Sequence, residues 1–142
     1  MARPYRLGFW RRLVNQIVRS MLRIGLPPPH TYLLTVPGRK TGNTYSTPVT
    51  LVEENGERWL VAPYGAVGWV KNARVAEKVT LGRGLRSETV GIIELAPSEA
   101  APVLKKYLTD VPVVRPFFDV TPQSDIESFV AEAPKHPVFR IT

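Results

Sequence analysis

Three β-rich runs follow one another early in the chain, separated only by short turns that carry glycine: Thr31–Val36 (TYLLTV), Tyr45–Glu53 (YSTPVTLVE) and Arg58–Ala62 (RWLVA). Each is dense in β-branched and aromatic residues, the side chains that suit a pleated, half-buried surface. The connections are 38–43 (GRKTGN) and Glu54-Asn55-Gly56. An Asn-Gly step is a strong hairpin signal, because both residues accept the positive φ of a primed turn. The pattern predicts an antiparallel meander, and the rest of the chain must be arranged around it.

Beyond the meander, Val67–Glu77 (VGWVKNARVAE) fits a short helix, and strand patterning resumes at Lys78–Leu81 and Leu85–Leu95 around Gly82-Arg83-Gly84. Pro97-Ser98-Glu99 opens a second helix running to about Leu108, with proline in the first turn where its missing N–H costs nothing. Val111–Pro122 is spaced by prolines and reads as a loop, Ser124–Ala133 as a helix and Val138–Ile141 as a closing strand. With 142 residues, 44% hydrophobic and 22% charged, the chain has the length and balance of a single globular domain over 1–142.

Charge is unevenly placed. Residues 1–52 hold eight Arg or Lys and no acid, whereas the remainder holds eleven bases and twelve acids, so the whole net charge of +7 resides in the first third. Within it, residues 1–26 read as a basic amphipathic helix that Pro27-Pro28-Pro29 terminates. On a helical wheel Trp10, Leu13, Val14, Ile17, Met21 and Ile24 share one arc, and Arg12, Arg19 and Arg23 flank it. Such a segment suits an anionic membrane surface, and packing against the protein or a second subunit is the competing reading. No apolar run approaches the roughly 20 residues of a membrane span. With no cysteine present, disulfides and thiolate sites are excluded and a reducing compartment is compatible. The expected location is cytoplasmic, peripheral to the inner face of the membrane.

Several chemistries lack their residues. His30 and His136 each stand beside proline with no second nitrogen ligand at metal-binding spacing, so no metal site is expected. His136 is readable as a base or as a turn histidine before the last strand. There is no glycine-flanked serine elbow. GRKTGN is not a P-loop, but its glycines let backbone N–H groups approach a ligand, Arg39 can bind an oxyanion bidentately and Lys40 adds a mobile charge. A solvated basic turn is the alternative. Ala62-Pro63-Tyr64-Gly65 leads into the start of a helix, whose first N–H groups are unpaired. There Trp69 and Tyr64 can flank an aromatic ring system and Asn72 can hold its polar edge; Trp69 reads equally as a core aromatic.

Taken together, TVPGRKTGN, Ser46-Thr47-Pro48, VAPYG and GWVKNAR, in this order and spacing, resemble the deazaflavin-dependent nitroreductase and quinone reductase family. The similarity runs from about Thr31 to the C-terminus and includes Arg115-Pro116-Phe117-Phe118 and His136-Pro137-Val138-Phe139. The resemblance implies a mainly β fold with peripheral helices (α+β), a split β-barrel of about six antiparallel strands related to FMN-binding oxidoreductases. It further implies that Arg39, Lys40 and Thr41 hold the phosphate and glutamyl tail of coenzyme F420. Pro48 and Val49 would pack near the deazaflavin ring, Ala62, Pro63, Tyr64 and Gly65 would line it, and Trp69 and Asn72 would close the site. FMN is the alternative cofactor within the same fold.

Two departures stand out. The better-known nitroreductases have Arg where this chain has Tyr45, and a Ser-Lys pair in place of Pro63-Tyr64. The APYG and GWVKNAR variant resembles a branch linked to membranes and unsaturated, lipid-like substrates. The activity so implied is hydride transfer from reduced F420 to a quinone, an activated C=C or a nitro group. Tyr64 is the candidate proton source or orienting hydroxyl, and Phe117 and Phe118 are candidate walls of an apolar substrate pocket or else ordinary core residues. A basic module binding anionic lipid is the non-enzymatic alternative. No nucleic-acid partner is expected, and the assembly is expected to be a monomer or homodimer.

Overall fold

The structure is a computed structural model, described here over residues 30–142; the amphipathic segment read in residues 1–26 lies outside the described residues. Six strands, β1 (Thr31–Pro37), β2 (Thr44–Glu54), β3 (Glu57–Val61), β4 (Lys78–Arg83), β5 (Arg86–Glu94) and β6 (Val138–Ile141), close into an antiparallel barrel in the order β1-β2-β3-β6-β5-β4. The first three form the meander that their turns predict. Asn55 (φ 52°) and Gly56 (φ 80°) both take the left-handed conformation at the β2–β3 turn.

The meander does not continue into β4. The C-terminal β6 inserts between β3 and β5, and β4 closes the barrel on β1 through Leu34↔Leu81 and its neighbours. β6 has only four residues, and the strands on either side of it are also joined by a salt bridge between Arg58 of β3 and Glu88 of β5.

Two apolar cores share the barrel wall. Inside are Leu34, Val36, Leu51, Leu60, Val79, Leu81 and Phe139, capped by Val70 and Ala73 of helix α1 (Gly68–Ala76). Outside, helices α2 (Pro97–Asp110) and α3 (Ile126–Glu132) pack on Val52, Val61 and Val138. Alternation along each strand feeds both layers, with Leu60 inward and Val61 outward, and likewise Phe139 and Val138. Strands buried on both faces read as continuous apolar runs, as RWLVA and PVF do. In α2 the buried residues Ala100, Ala101, Val103, Leu104, Tyr107 and Leu108 recur at helical spacing and form one stripe. Each fully buried Leu or Phe removes enough apolar surface from water to contribute about 1.5–3 kcal/mol.

The segment read as a proline-spaced loop contains a 3₁₀ helix, Pro112–Phe117, and the predicted helix over Ser124–Ala133 is shorter, ending in a second 3₁₀ turn at Ala133–Lys135. Each of these turns carries a proline at its start, where the missing N–H would have no partner within the helix. The β4–β5 turn also falls later than expected, since β4 extends through Gly82 and Arg83.

Candidate functional site

The β1–β2 hairpin outreaches the barrel at its turn end. Val36 pairs with Tyr45, and directly opposed residues of an antiparallel pair project from the same face. Val36 is fully buried under α1, yet Tyr45 is 52% exposed, so the face that begins as core ends as an open wall. Leu34 and Thr47 continue that face inward. The turn beyond it is compact: the Gly38 N–H donates to the Asn43 carbonyl at 2.7 Å and the Gly42 N–H to the Gly38 carbonyl at 3.0 Å. Gly42 has φ 78°, a conformation that glycine adopts without strain.

Helix α1 faces this hairpin. Its buried Asn72 accepts two hydrogen bonds on Oδ1 from Arg39, one from the backbone N–H at 3.1 Å and one from Nη1 at 2.8 Å. The turn that carries the cations is thereby tied to the helix, and among the described residues the other guanidinium N–H groups of Arg39 make no hydrogen bond. Trp69, on the preceding turn of α1, lies with its ring 6.3 Å from that of Phe139 at a 50° tilt. It is half-buried against the barrel core and also borders the open cleft.

Between hairpin and helix lies a cleft of about 750 Å³, lined by Gly38, Arg39, Lys40, Thr41, Tyr45, Ser46, Thr47, Val67, Gly68, Trp69 and Asn72. It holds two cations and no acid. The amides of Gly68 and Trp69, at the start of α1, make no backbone hydrogen bond among the described residues, and a Cβ added at Gly68 would meet nothing within 4 Å. Cations, free N–H donors and an aromatic wall in one open groove fit an anionic ligand with a planar ring.

The remaining sequence candidates fall elsewhere. Pro48, opposite Leu33, projects from the other face of the sheet, while Val49 lies at the buried end of the cleft face. Ala62 is in the barrel core. Pro63, Tyr64 and Gly65 form the β3–α1 connection but are not among the residues lining the cleft, which begins at Val67. Tyr64 meets Phe117 edge-on, with ring centroids 4.9 Å apart. Phe118 is buried and stacks on the His136 imidazole at 3.7 Å. The two phenylalanines therefore join the outer core beside α2 and α3. Close to Tyr64, the Tyr107 hydroxyl has its pKa pushed up, chiefly by burial and then by Tyr64, so it stays protonated. Among the described residues no group of three His, Asp or Glu side chains is placed to hold a metal ion.

Sequence reasoning missed Tyr45, Ser46, Thr47, Val67 and Gly68 as cleft walls. A signal for two of them existed, because Tyr45 and Thr47 share the period-2 face of the hairpin that Leu34 and Val36 bury. The Arg39–Asn72 tether had no such signal, since 33 residues separate its ends.

A split barrel closed by a short C-terminal strand, with a basic cleft between the β1–β2 turn and the first helix, defines the architectural class. Solved structures share the barrel fold: an F420-H2 dependent reductase is 23% identical with a TM-score of 0.55, over 80% of this chain and 95% of that one. A structure described as a domain-swapped dimer is 21% identical with a TM-score of 0.58, over 92% of this chain and 98% of the other. A protein of unknown function from Agrobacterium tumefaciens is 17% identical with a TM-score of 0.55, over 99% of this chain and 58% of that one. At these identities the likeness establishes the fold. Comparison with curated proteins finds no match. The profile of the F420H(2)-dependent quinone reductase family matches residues 9–112. The chain belongs to that family and is an F420H2-dependent reductase.

Proposed function

We propose that the cleft between the GRKTGN turn and α1 holds reduced coenzyme F420 and that the chain reduces an apolar, electron-poor acceptor: a quinone, an activated C=C of a lipid-like or enone compound, or a nitro compound. The observation that carries the reading is the cleft itself, with Arg39 and Lys40 on one side, Trp69 on the other and no acid between them. When bound, the reduced deazaflavin supplies the hydride. The residues of the chain bind and orient: Arg39, Lys40 and Thr41 receive the anionic phosphate and glutamyl tail, Asn72 holds Arg39 in place, and Trp69 with Tyr45 and Val67 excludes water from the ring. Orientation and water exclusion are what a protein adds when its cofactor carries the chemistry.

The acceptor is apolar in this reading because basic residues Arg12, Arg19 and Arg23 beside the apolar arc of the N-terminal segment suit peripheral attachment to anionic lipid, where such acceptors dissolve. A homodimer is the proposed assembly, and sedimentation velocity checks it.

The test is a titration of purified protein with F420 and, separately, FMN, followed by tryptophan quenching. F420 should bind tighter than FMN. Arg39→Ala with Lys40→Ala should raise the F420 dissociation constant on the order of 10- to 1,000-fold, the loss of two charge-assisted contacts, with the melting temperature retained. Equal affinity in wild type and double variant, or tighter FMN binding, sinks the reading.

A further inference from the structure

His136 and Glu132 form a buried ionisable pair outside the cleft, each 3% exposed, and the cleft reading above gives them no task. The imidazole is fixed on three sides. Nδ1 lies 2.7 Å from the Pro63 carbonyl oxygen, Nε2 lies 2.7 Å from Glu132 Oε2, and the ring stacks on Phe118 with an interplanar angle of 11°. A carbonyl oxygen has no proton to give, so Nδ1 is the donor to Pro63 and the tautomer is settled at that nitrogen. The contact between Nε2 and Oε2 holds one further proton between two atoms. Glu132 is braced in turn: Oε2 accepts the Asp119 N–H at 3.1 Å, and Oε1 lies 3.4 Å from Lys135 Nζ, which also reaches Asp119 Oδ2 at 2.9 Å.

What this assembly grips is the connection from β3 to α1. Pro63 is bound through its carbonyl, its neighbour Ala62 donates its N–H to the Pro137 carbonyl at 2.8 Å, and Gly65 takes φ 88° with Lys135 O 3.4 Å from where a Cβ would stand. From there the Val67 N–H bonds the Gly65 carbonyl at 2.8 Å and the Val70 N–H bonds the Val67 carbonyl at 3.0 Å, which starts the helix. Val67, Gly68, Trp69 and Asn72 of this segment line the cleft, and Asn72 holds Arg39.

We propose that His136 is a positioning residue for the reductase site: its Nδ1–H on the Pro63 carbonyl sets where α1 begins, and so sets the Trp69 and Asn72 wall and the Arg39 turn. The proposal rests on the cleft being the F420 site. It explains why a buried ionisable pair is kept where two apolar side chains would pack at lower desolvation cost, since an apolar residue supplies no donor to Pro63.

Two amide replacements separate the halves of the imidazole. The Asn side-chain N–H stands near the position of Nδ1, and that of Gln near Nε2. His136→Asn should therefore keep slow amide hydrogen exchange at Val67 and Val70 and an F420 affinity within about 3-fold of wild type. His136→Gln, which keeps a bond to Glu132 but leaves Pro63 without a donor, should speed exchange at both amides and raise the F420 dissociation constant on the order of 10-fold. Unchanged exchange at Val67 and Val70 in His136→Gln overturns the proposal. Faster exchange with unchanged F420 affinity also overturns it. Failure of the cleft as cofactor site would show instead in the Arg39→Ala, Lys40→Ala protein binding F420 as wild type does. Should either variant not fold, the ¹⁵N spectrum of wild-type His136 decides: a protonated Nδ1 supports the clamp, and an unprotonated one overturns it.

Discussion

Asn72 Oδ1 accepts both the backbone N–H and the Nη1–H of Arg39, so one buried amide oxygen fixes the main chain and the side chain of the same residue. The cation that faces the cleft is therefore preorganised by a group that need not touch the ligand. Preorganisation matters because an Arg held in place loses less rotamer entropy when it binds an anion.

Asn72→Ala should then act twice. Leaving the Arg39 N–H unpaired at a part-buried site should cost about 1–3 kcal/mol of stability, and F420 affinity should fall by on the order of 10-fold because the guanidinium is freed. Asn72→Asp keeps the oxygen acceptor and should hold the turn, but its negative charge neutralises Arg39 and should weaken F420 binding while stability is retained. Thermal melts and F420 titrations on the two variants check this, and parallel loss of stability and affinity in Asn72→Asp would refute it.

How far the fold was legible depends on where the deciding contacts lie. Strands β1, β2, β3 and β6 carry strong β-branched runs bounded by turn chemistry, and their expected limits lie within a residue of those observed. The neighbour of β3 was not legible, because β6 enters from more than 70 residues away and nothing local marks a four-residue strand as central. The 3₁₀ segment at Pro112–Phe117 escaped for a different reason: its prolines argue against an α-helix but do not distinguish a loop from a tighter helix. At the site, Arg39, Lys40, Thr41, Trp69 and Asn72 were read from one basic turn and one helix start, and the structure brings all five to one cleft. Pro63, Tyr64 and Gly65, which the family resemblance places along the deazaflavin ring, are not among the residues that line this cleft.

Gly38 sets how closely Tyr45 can lie on the turn. A Cβ at position 38 would stand 2.7 Å from Tyr45 Cε2 and 3.0 Å from the Asn43 carbonyl oxygen. The ring can swing away, but the carbonyl belongs to the bond that closes the turn. Gly38→Ala should expel Tyr45 from its place, lower F420 affinity and leave the barrel folded. Pairing it with Tyr45→Ala removes the ring clash and should recover part of the affinity. If Gly38→Ala binds F420 as wild type does, Tyr45 is not a wall of the site.

Asp125 caps α3, accepting the Ser128 N–H at 2.9 Å and the Ser128 hydroxyl at 2.6 Å. These two bonds, the hydroxyl first, hold its carboxyl below the ordinary Asp pKa, with Lys105 adding a small pull in the same direction. A carboxyl with a lowered folded-state pKa contributes stability that is fully present above its unfolded pKa and is lost as pH falls through the folded one. Melting temperature should therefore decline as pH drops below the ordinary Asp range. Asp125→Asn, which keeps a capping oxygen but does not titrate, should show a shallower decline over the same interval. Identical pH profiles would remove Asp125 from the acid sensitivity.

All of the net positive charge lies in residues 1–52, and three of its arginines, Arg12, Arg19 and Arg23, flank one apolar arc when residues 9–24 are placed on a helical wheel. Each Arg near an anionic leaflet contributes about 1 kcal/mol, and buried apolar side chains add to that. Neutral vesicles offer only the apolar part, so binding should be strong to anionic vesicles, weaker to neutral ones and weaker again in high salt, which screens the attraction within a Debye length. Replacing Arg12, Arg19 and Arg23 by Gln should lose most of the anionic preference while F420 affinity, which we propose Arg39 and Lys40 set, is kept. Vesicle sedimentation with F420 titration of the same protein measures both quantities. Should the full chain ignore anionic vesicles, the arc is a packing surface, and the acceptor is met in solution rather than at a membrane.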